Sequence, residues 1–311
     1  MRSLAGAVLL GLSAVACASF EMLLVADNGN ATFATRRIHR YDPVTAVYLG
    51  SFGGFNAQII STHLNQASRS LFVLSTIGVT EWDYNTGLQK NAFAFGASSG
   101  VTYSIRPSLD RMAAFSSGSS FEVGNFPVPS SYDQSGLLSD AVYRTGLWTN
   151  SSTLVAFESA HSRFVTVSFN PSATSSTITA TSTFTGPSTG WGQVTLNGGT
   201  SNIIMASGNL GGFFLYTPGN PNINNFAGTV GGTAMSAASA HSGFFIGSNQ
   251  GATGRIDYFD RYFGLTRQFG SGTVVSPVSM QTVLAPEPGQ LTALGVGLVG
   301  ILSRRRKSVQ Y

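Results

Sequence analysis

The sequence predicts an all-β fold, a six-bladed β-propeller, and three observations carry that prediction. The first is composition: 37 of 311 residues are glycine, alongside abundant Ser, Thr, Val and Phe, which is the make-up of many short strands joined by tight turns and not of long helices. The second is a repeat. An apolar run followed by small residues and a turn starts at positions 23, 71, 112, 154, 203 and 244, at intervals of 41 to 49 residues; a period of this size marks a closed array of four-stranded sheets. The third is a strand-like segment after the last unit, at 274–284, for which the first unit has a matching vacancy.

The chain begins with Arg2, an apolar run over 5–16 and the small residues Ala16-Cys17-Ala18, the order of a secretory signal peptide cut after Ala18. A dozen apolar residues are too few for a spanning helix, which needs about 20. The single cysteine, Cys17, lies inside this segment, so a chain cut after Ala18 carries no thiol. A cut before Cys17 would instead leave a lipid-modified N-terminus, since Val15-Ala16-Cys17 partly resembles a bacterial lipobox, although Ala14 stands where that pattern has a larger aliphatic residue.

The body then runs over 19–285. Its repeated apolar strands are Leu23-Leu24-Val25-Ala26, Leu71-Phe72-Val73-Leu74, Met112-Ala113-Ala114-Phe115, Leu154-Val155-Ala156-Phe157, Ile203-Ile204-Met205-Ala206 and Phe244-Phe245-Ile246-Gly247. In the clearer units a second, alternating run closes on a turn, as in Ile38-His39-Arg40-Tyr41-Asp42-Pro43 and Val79-Thr80-Glu81-Trp82-Asp83. A third ends on Phe-Gly, as at Phe52-Gly53, Phe95-Gly96 and Phe269-Gly270. These are antiparallel meander strands. Innermost strands are expected at 57–63, 101–107, 141–147, 191–196 and 232–238. The first unit lacks one, so 274–284 is expected to return and complete the first blade, removing two open sheet edges. A two-sheet sandwich or jelly roll is the alternative, and the regular spacing argues against it.

Unit one, with Val25-Ala26-Asp27-Asn28-Gly29-Asn30, Ile38 to Asp42 and Leu49-Gly50-Ser51-Phe52-Gly53-Gly54, resembles an NHL-type repeat over about 30 residues. The likeness weakens in units two and six and is faint in the others. It implies the same six-bladed ring.

At the other end, Pro286-Glu287-Pro288 leads into an apolar stretch over 291–302 and then Arg304, Arg305, Arg306 and Lys307. The prolines interrupt regular structure, the apolar stretch suits a short transmembrane helix, and the basic cluster stays cytoplasmic. The arrangement over 286–308 resembles the PEP-CTERM sorting signal of Gram-negative bacteria. That resemblance implies an exosortase-type processing enzyme as partner, transient anchoring of the membrane by the C-terminal helix, delivery to the outer surface or extracellular matrix, and extracellular polysaccharide as the partner class. A plain tail anchor would show the same topology without the cut.

Charge excludes other partners. The chain carries 17 Lys plus Arg against 13 Asp plus Glu; setting aside Arg2, the four tail cations and Glu287 leaves 12 of each sign in 19–285. The body is neutral, and the basic isoelectric point belongs to the tail, so nucleic-acid binding has no support.

Chemistry has few candidates. His39, His63, His161 and His241 are the only histidines; His161 follows its apolar strand and His241 precedes one, which places them in different hairpins. Propeller hydrolases of the lactonase kind gather carboxylates around a divalent metal at the channel mouth. The expected inner strands hold almost no acids, and Asp110 and Asp140 read as turn residues. Asp27-Asn28-Gly29-Asn30 reads as a hairpin turn, lacking the spaced oxygens of a calcium loop. No catalytic residue, cofactor or metal is assigned. Trp82, Trp148 and Trp191 could stack on sugar rings; Trp191, between Gly190 and Gly192, is the candidate. The reading is a non-catalytic binding or scaffold propeller, with a secreted hydrolase or lyase acting on a carbohydrate or lactone as the alternative.

Overall fold

A computed structural model describes residues 22–30, 35–94, 102–115, 120–127, 132–136, 142–161, 163–169, 176–183, 191–196, 203–207, 212–217 and 224–283. The signal segment 1–18, Cys17, Asp140 and the whole of 286–308, with its expected transmembrane helix, lie outside these residues. Leu23–Thr282 forms one compact unit.

The described residues form 24 strands in six four-stranded sheets. The first blade holds β1 (Met22–Asp27), β2 (Arg37–Tyr41) and β3 (Tyr48–Phe52). The second holds β4 (Ile59–Asn65), β5 (Ser70–Ser75), β6 (Gly78–Asp83) and β7 (Gln89–Ala94), and the third β8 (Thr102–Ile105), β9 (Arg111–Phe115), β10 (Ser120–Asn125) and β11 (Tyr132–Gly136). The fourth holds β12 (Tyr143–Trp148), β13 (Thr153–Glu158), β14 (Arg163–Phe169) and β15 (Ser176–Thr183). The fifth follows with β16 (Trp191–Leu196), β17 (Ile203–Ser207), β18 (Gly212–Tyr216) and β19 (Asn224–Thr229), and the sixth with β20 (Thr233–Ala240), β21 (Gly243–Asn249), β22 (Gly254–Asp260) and β23 (Leu265–Phe269). The last strand, β24 (Pro277–Val283), borders β1, so the first sheet reads β24-β1-β2-β3.

Each repeated apolar run is the second strand of its blade, as the period predicts. The reason is burial on both faces. In β13, Leu154 and Ala156 pack toward the third blade, while Val155 and Phe157 pack toward the fifth. A strand covered on two sides needs apolar residues at every position and not at alternate ones. Similar clusters join the second blade to the third, the fifth to the sixth and the sixth to the first. Between the first and second blades, Phe52 and Phe55 meet the Trp82 ring, with centroids 5.8 and 5.3 Å away. The blades therefore form a closed ring.

The expected inner strands all exist: 191–196 is met as β16, whereas β4 starts at Ile59 and not at 57, and β20 runs on to Ala240. Bulges in β4, β12, β16 and β20 interrupt their pairing with the second strands. Close approach fixes one glycine. A Cβ on Gly146 of β12 would lie 2.5 Å from Phe115 Cζ and 3.0 Å from the Val155 carbonyl, where the third and fourth blades interlock. Gly146→Ala is expected to cost about 1–3 kcal/mol by overpacking, read from the midpoint of urea unfolding.

The turns between third and fourth strands of the first, second and sixth blades share one device. Asp42 Oδ1 accepts from the Val44 and Thr45 amides at 2.8 and 3.1 Å. Asp83 Oδ1 does the same for Asn85 and Thr86 at 3.0 and 2.9 Å, and Asp260 Oδ1 for Tyr262 and Gly264 at 2.8 and 2.9 Å. These aspartates close turns.

Candidate functional site: the central channel

All six inner strands line one cavity of about 540 Å³ on the ring axis. Neighbouring inner strands belong to different sheets, so no ladder satisfies the backbone groups they turn toward one another. Short polar side chains do so instead. Thr62 of β4 and Ser279 of β24 join hydroxyls at 2.8 Å, and Ser279 Oγ also accepts from the Thr62 amide at 3.0 Å. Gln281 Nε2 donates to the Thr62 carbonyl at 2.7 Å. Farther round, Thr102 Oγ1 donates to the Arg144 carbonyl at 2.6 Å, and Ser104 Oγ accepts from the Trp148 amide at 3.2 Å. The Ser239 amide donates to Thr195 Oγ1 at 3.1 Å. Gln193 of β16 reaches past the sixth blade: its amide donates to the Met280 carbonyl at 3.0 Å and accepts from the Met280 N–H at 2.8 Å.

Among the described residues, the channel lining contains no Asp, Glu, Lys or Arg. Its one imidazole, His63, is pushed down to about 4 by burial. The described lining thus mixes hydroxyls and amides with apolar side chains such as Ile59, Ile105 and Val278. The buried Ser61 Oγ, on the lining, has no hydrogen-bond partner.

The buried acids are engaged elsewhere. Asp27, 1% exposed, accepts from the amides of Ser276 at 2.6 Å, Val275 at 3.0 Å and Gly29 at 3.0 Å, and His39 Nε2 lies 3.4 Å away. Burial works to raise its pKa, but His39 and the three amides outweigh burial and hold it below the ordinary value. Glu158, fully buried, accepts from the amides of Val142, Ala160 and His161 at 2.9, 2.6 and 3.1 Å and from Arg163 Nε at 3.0 Å. Again burial is outweighed, and the carboxyl is held low. Both acids end a second strand and catch the backbone just before an inner strand begins: Pro277 in one case, Tyr143 in the other. Asp257 pairs with Arg255 and Gln268, and burial raises its pKa.

The motifs singled out in the sequence separate accordingly. Asp27 to Asn30 is a turn with Gly29 at φ 53°, and Asn28 also reaches the next blade, its side chain joining both the N–H and the carbonyl of Ile59 at 2.9 Å. His161 sits in the turn after β13 and His241 in the turn before β21, in different blades. Asp110 pairs with Arg106 at 2.9 Å. Trp148 is buried, with its indole N–H donated to the Ser104 carbonyl at 3.2 Å. Trp191 opens the inner strand β16; its side chain lies outside the described residues. Among the described residues no group of three or more His, Cys, Asp or Glu could hold a metal, and no helix is long and apolar enough to cross a membrane.

No family model matches the chain, and no curated protein matches it. A chain from a solved structure, the crystal structure of a nidogen/laminin complex, superposes with a TM-score of 0.62 at 12% identity, over 85% of this chain and 99% of that one. The likeness is one of fold.

Proposed function

We propose that the protein is an exported, non-catalytic binding or scaffold propeller that associates with uncharged extracellular polysaccharide through its channel face. On this reading it is sorted through the 286–308 segment by an exosortase-type enzyme. The observation that carries the proposal is the channel itself: six inner strands place hydroxyls and amides among apolar side chains around about 540 Å³, with no carboxylate or cationic side chain among the described lining residues. Such a surface matches a neutral polyhydroxylated ligand, whose hydroxyls need partners and whose rings bring no charge. The neutral body suits it too. A hydrolase would require acids at the cavity, whereas Asp27, Glu158 and Asp257 hold neighbouring parts of the fold. The fold is shared with a chain solved in a nidogen/laminin complex, which is compatible with a binding role.

The test uses protein recovered from the cell envelope and medium of its native host, with its intact mass read first. A mass lacking residues 1–18 and everything beyond the 286–288 region is expected, and retention of 304–307 would refute sorting by cleavage. The same material is then run in native gels containing dextran, a soluble cellulose derivative without charge, or alginate. Retardation by a neutral polymer that persists in high salt, without release of reducing ends, is expected. Retardation by alginate alone, lost in salt, or release of reducing ends would overturn the reading.

A further inference from the structure

A second cavity, of about 240 Å³, lies between the linker that leaves β3 and the outer half of the second blade. It exists because one face of that blade is built small. Gly78 opposes Ala94, Thr80 opposes Ala92, and Trp82 opposes Gln89 across the β6–β7 ladder, so between the large indole with its Gln89 neighbour and the far end the sheet carries only glycine, alanine and threonine. Gly78 cannot be enlarged, since a Cβ there would lie 2.2 Å from the Phe93 carbonyl at a φ of +150°.

Trp82 forms one end of the groove. Its indole N–H is already donated to Thr80 Oγ1 at 2.8 Å, and Phe52 and Phe55 hold its ring from the first blade. The ring is half-buried, fixed in orientation and without an unmet polar demand. Asn56 and Gln89, both exposed, stand on the rim, and none of the described lining residues is charged. A pyranose has one face of C–H groups and a rim of hydroxyls. The first fits a fixed aromatic plane, and the second fits amide donors and acceptors.

The groove also adjoins the channel. Asn56, Ala57, Ser75 and Ile77 line it, while Gln58 and Thr76, the next residues along, line the channel. The seam between them is closed by the Thr76 amide donating to the Gln58 carbonyl at 3.2 Å. Ile77 stands on that seam, 60% exposed.

The geometry points to the Trp82 groove as a stacking subsite for one neutral pyranose unit of a chain whose neighbouring units cross the seam to the channel mouth. This rests on the polysaccharide reading above and adds where a sugar ring is held. The test titrates the full chain with cellohexaose, maltohexaose and hexagalacturonate by calorimetry. Trp82→Ala removes the platform, and Ala92→Phe fills the groove from an exposed position while leaving Trp82 in place. At least one neutral hexasaccharide is expected to bind, and each variant to weaken it by about tenfold or more, with the unfolding midpoint of Ala92→Phe unchanged. Wild-type affinity in a folded Ala92→Phe variant would overturn the groove while leaving carbohydrate binding intact. Preference for hexagalacturonate would overturn the neutral subsite. Failure of every hexasaccharide, together with no gel retardation, would remove the polysaccharide reading and this subsite with it.

Discussion

Asp27→Ala is expected to lower the stability of the ring by about 3–5 kcal/mol, the range for breaking a buried, hydrogen-bonded charge. The carboxylate takes the amides of Val275 and Ser276, the last two residues before β24, and so docks the strand that completes the first blade. Without it, those N–H groups and that of Gly29 lose their acceptor in a place water reaches poorly. Asp27→Asn keeps the shape and one acceptor oxygen, and should cost roughly half as much. Urea unfolding followed by tryptophan fluorescence reads both. A loss below about 1 kcal/mol for the alanine variant would mean that β24 is held by its side-chain packing and not by this clasp.

The second large effect is a loss of stability on mild acidification. His63 has a folded pKa of about 4, against an ordinary 6.5, because burial disfavours its charged form. The unfolded chain therefore takes up a proton below about 6.5 that the folded chain refuses until about 4. Stability held by the neutral ring is complete above the upper value and declines as pH falls through this window. The full shift corresponds to about 3 kcal/mol, and the ring's partial exposure in the channel reduces the expected loss to about 2. Asp27 and Glu158 act in the same direction but lower: their depressed folded pKa values confer stability above the ordinary carboxylate range, lost as pH falls below it. Urea midpoints at pH 7.5, 6, 5 and 4 should decline steadily. His63→Gln should flatten the portion between 6.5 and 4; an unchanged slope in that variant would assign the loss to other groups.

The parts of this fold that could be read from sequence are those where one residue's environment repeats along the strand. Leu71 to Leu74 and Ile203 to Ala206 are buried on both faces, so the second strands appear as unbroken apolar runs and their spacing counts the blades. The returning strand was legible by subtraction, because the first unit had no inner strand of its own. Outer strands give little away: β7 is exposed along most of its length and is under no pressure to alternate. The inner strands that line the channel were legible from their place before each apolar run. The channel's organisation was not, since Gln193 meets Met280, and Thr62 meets Ser279, only once the ring closes. The Trp82 groove was hidden for a related reason: it is a space left by small residues on two paired strands and roofed by a linker from another blade. Trp191, the candidate in the sequence, owes its selection to flanking glycines, a local signal that carries no information about what lies across the channel.

Closure by β24 also imposes a schedule. The first blade is begun by β1, near the start of the chain, and can be finished only by β24; the clasp between Asp27 and Val275 spans 248 residues. During synthesis, the apolar β1 has an open inner edge until nearly everything else has emerged. Contacts this distant slow folding, and unpaired apolar edges invite wrong partners. The protein thus matures last at the place where it began, and a helper that shields β1 until the end arrives would act on the interval in which this chain is most exposed.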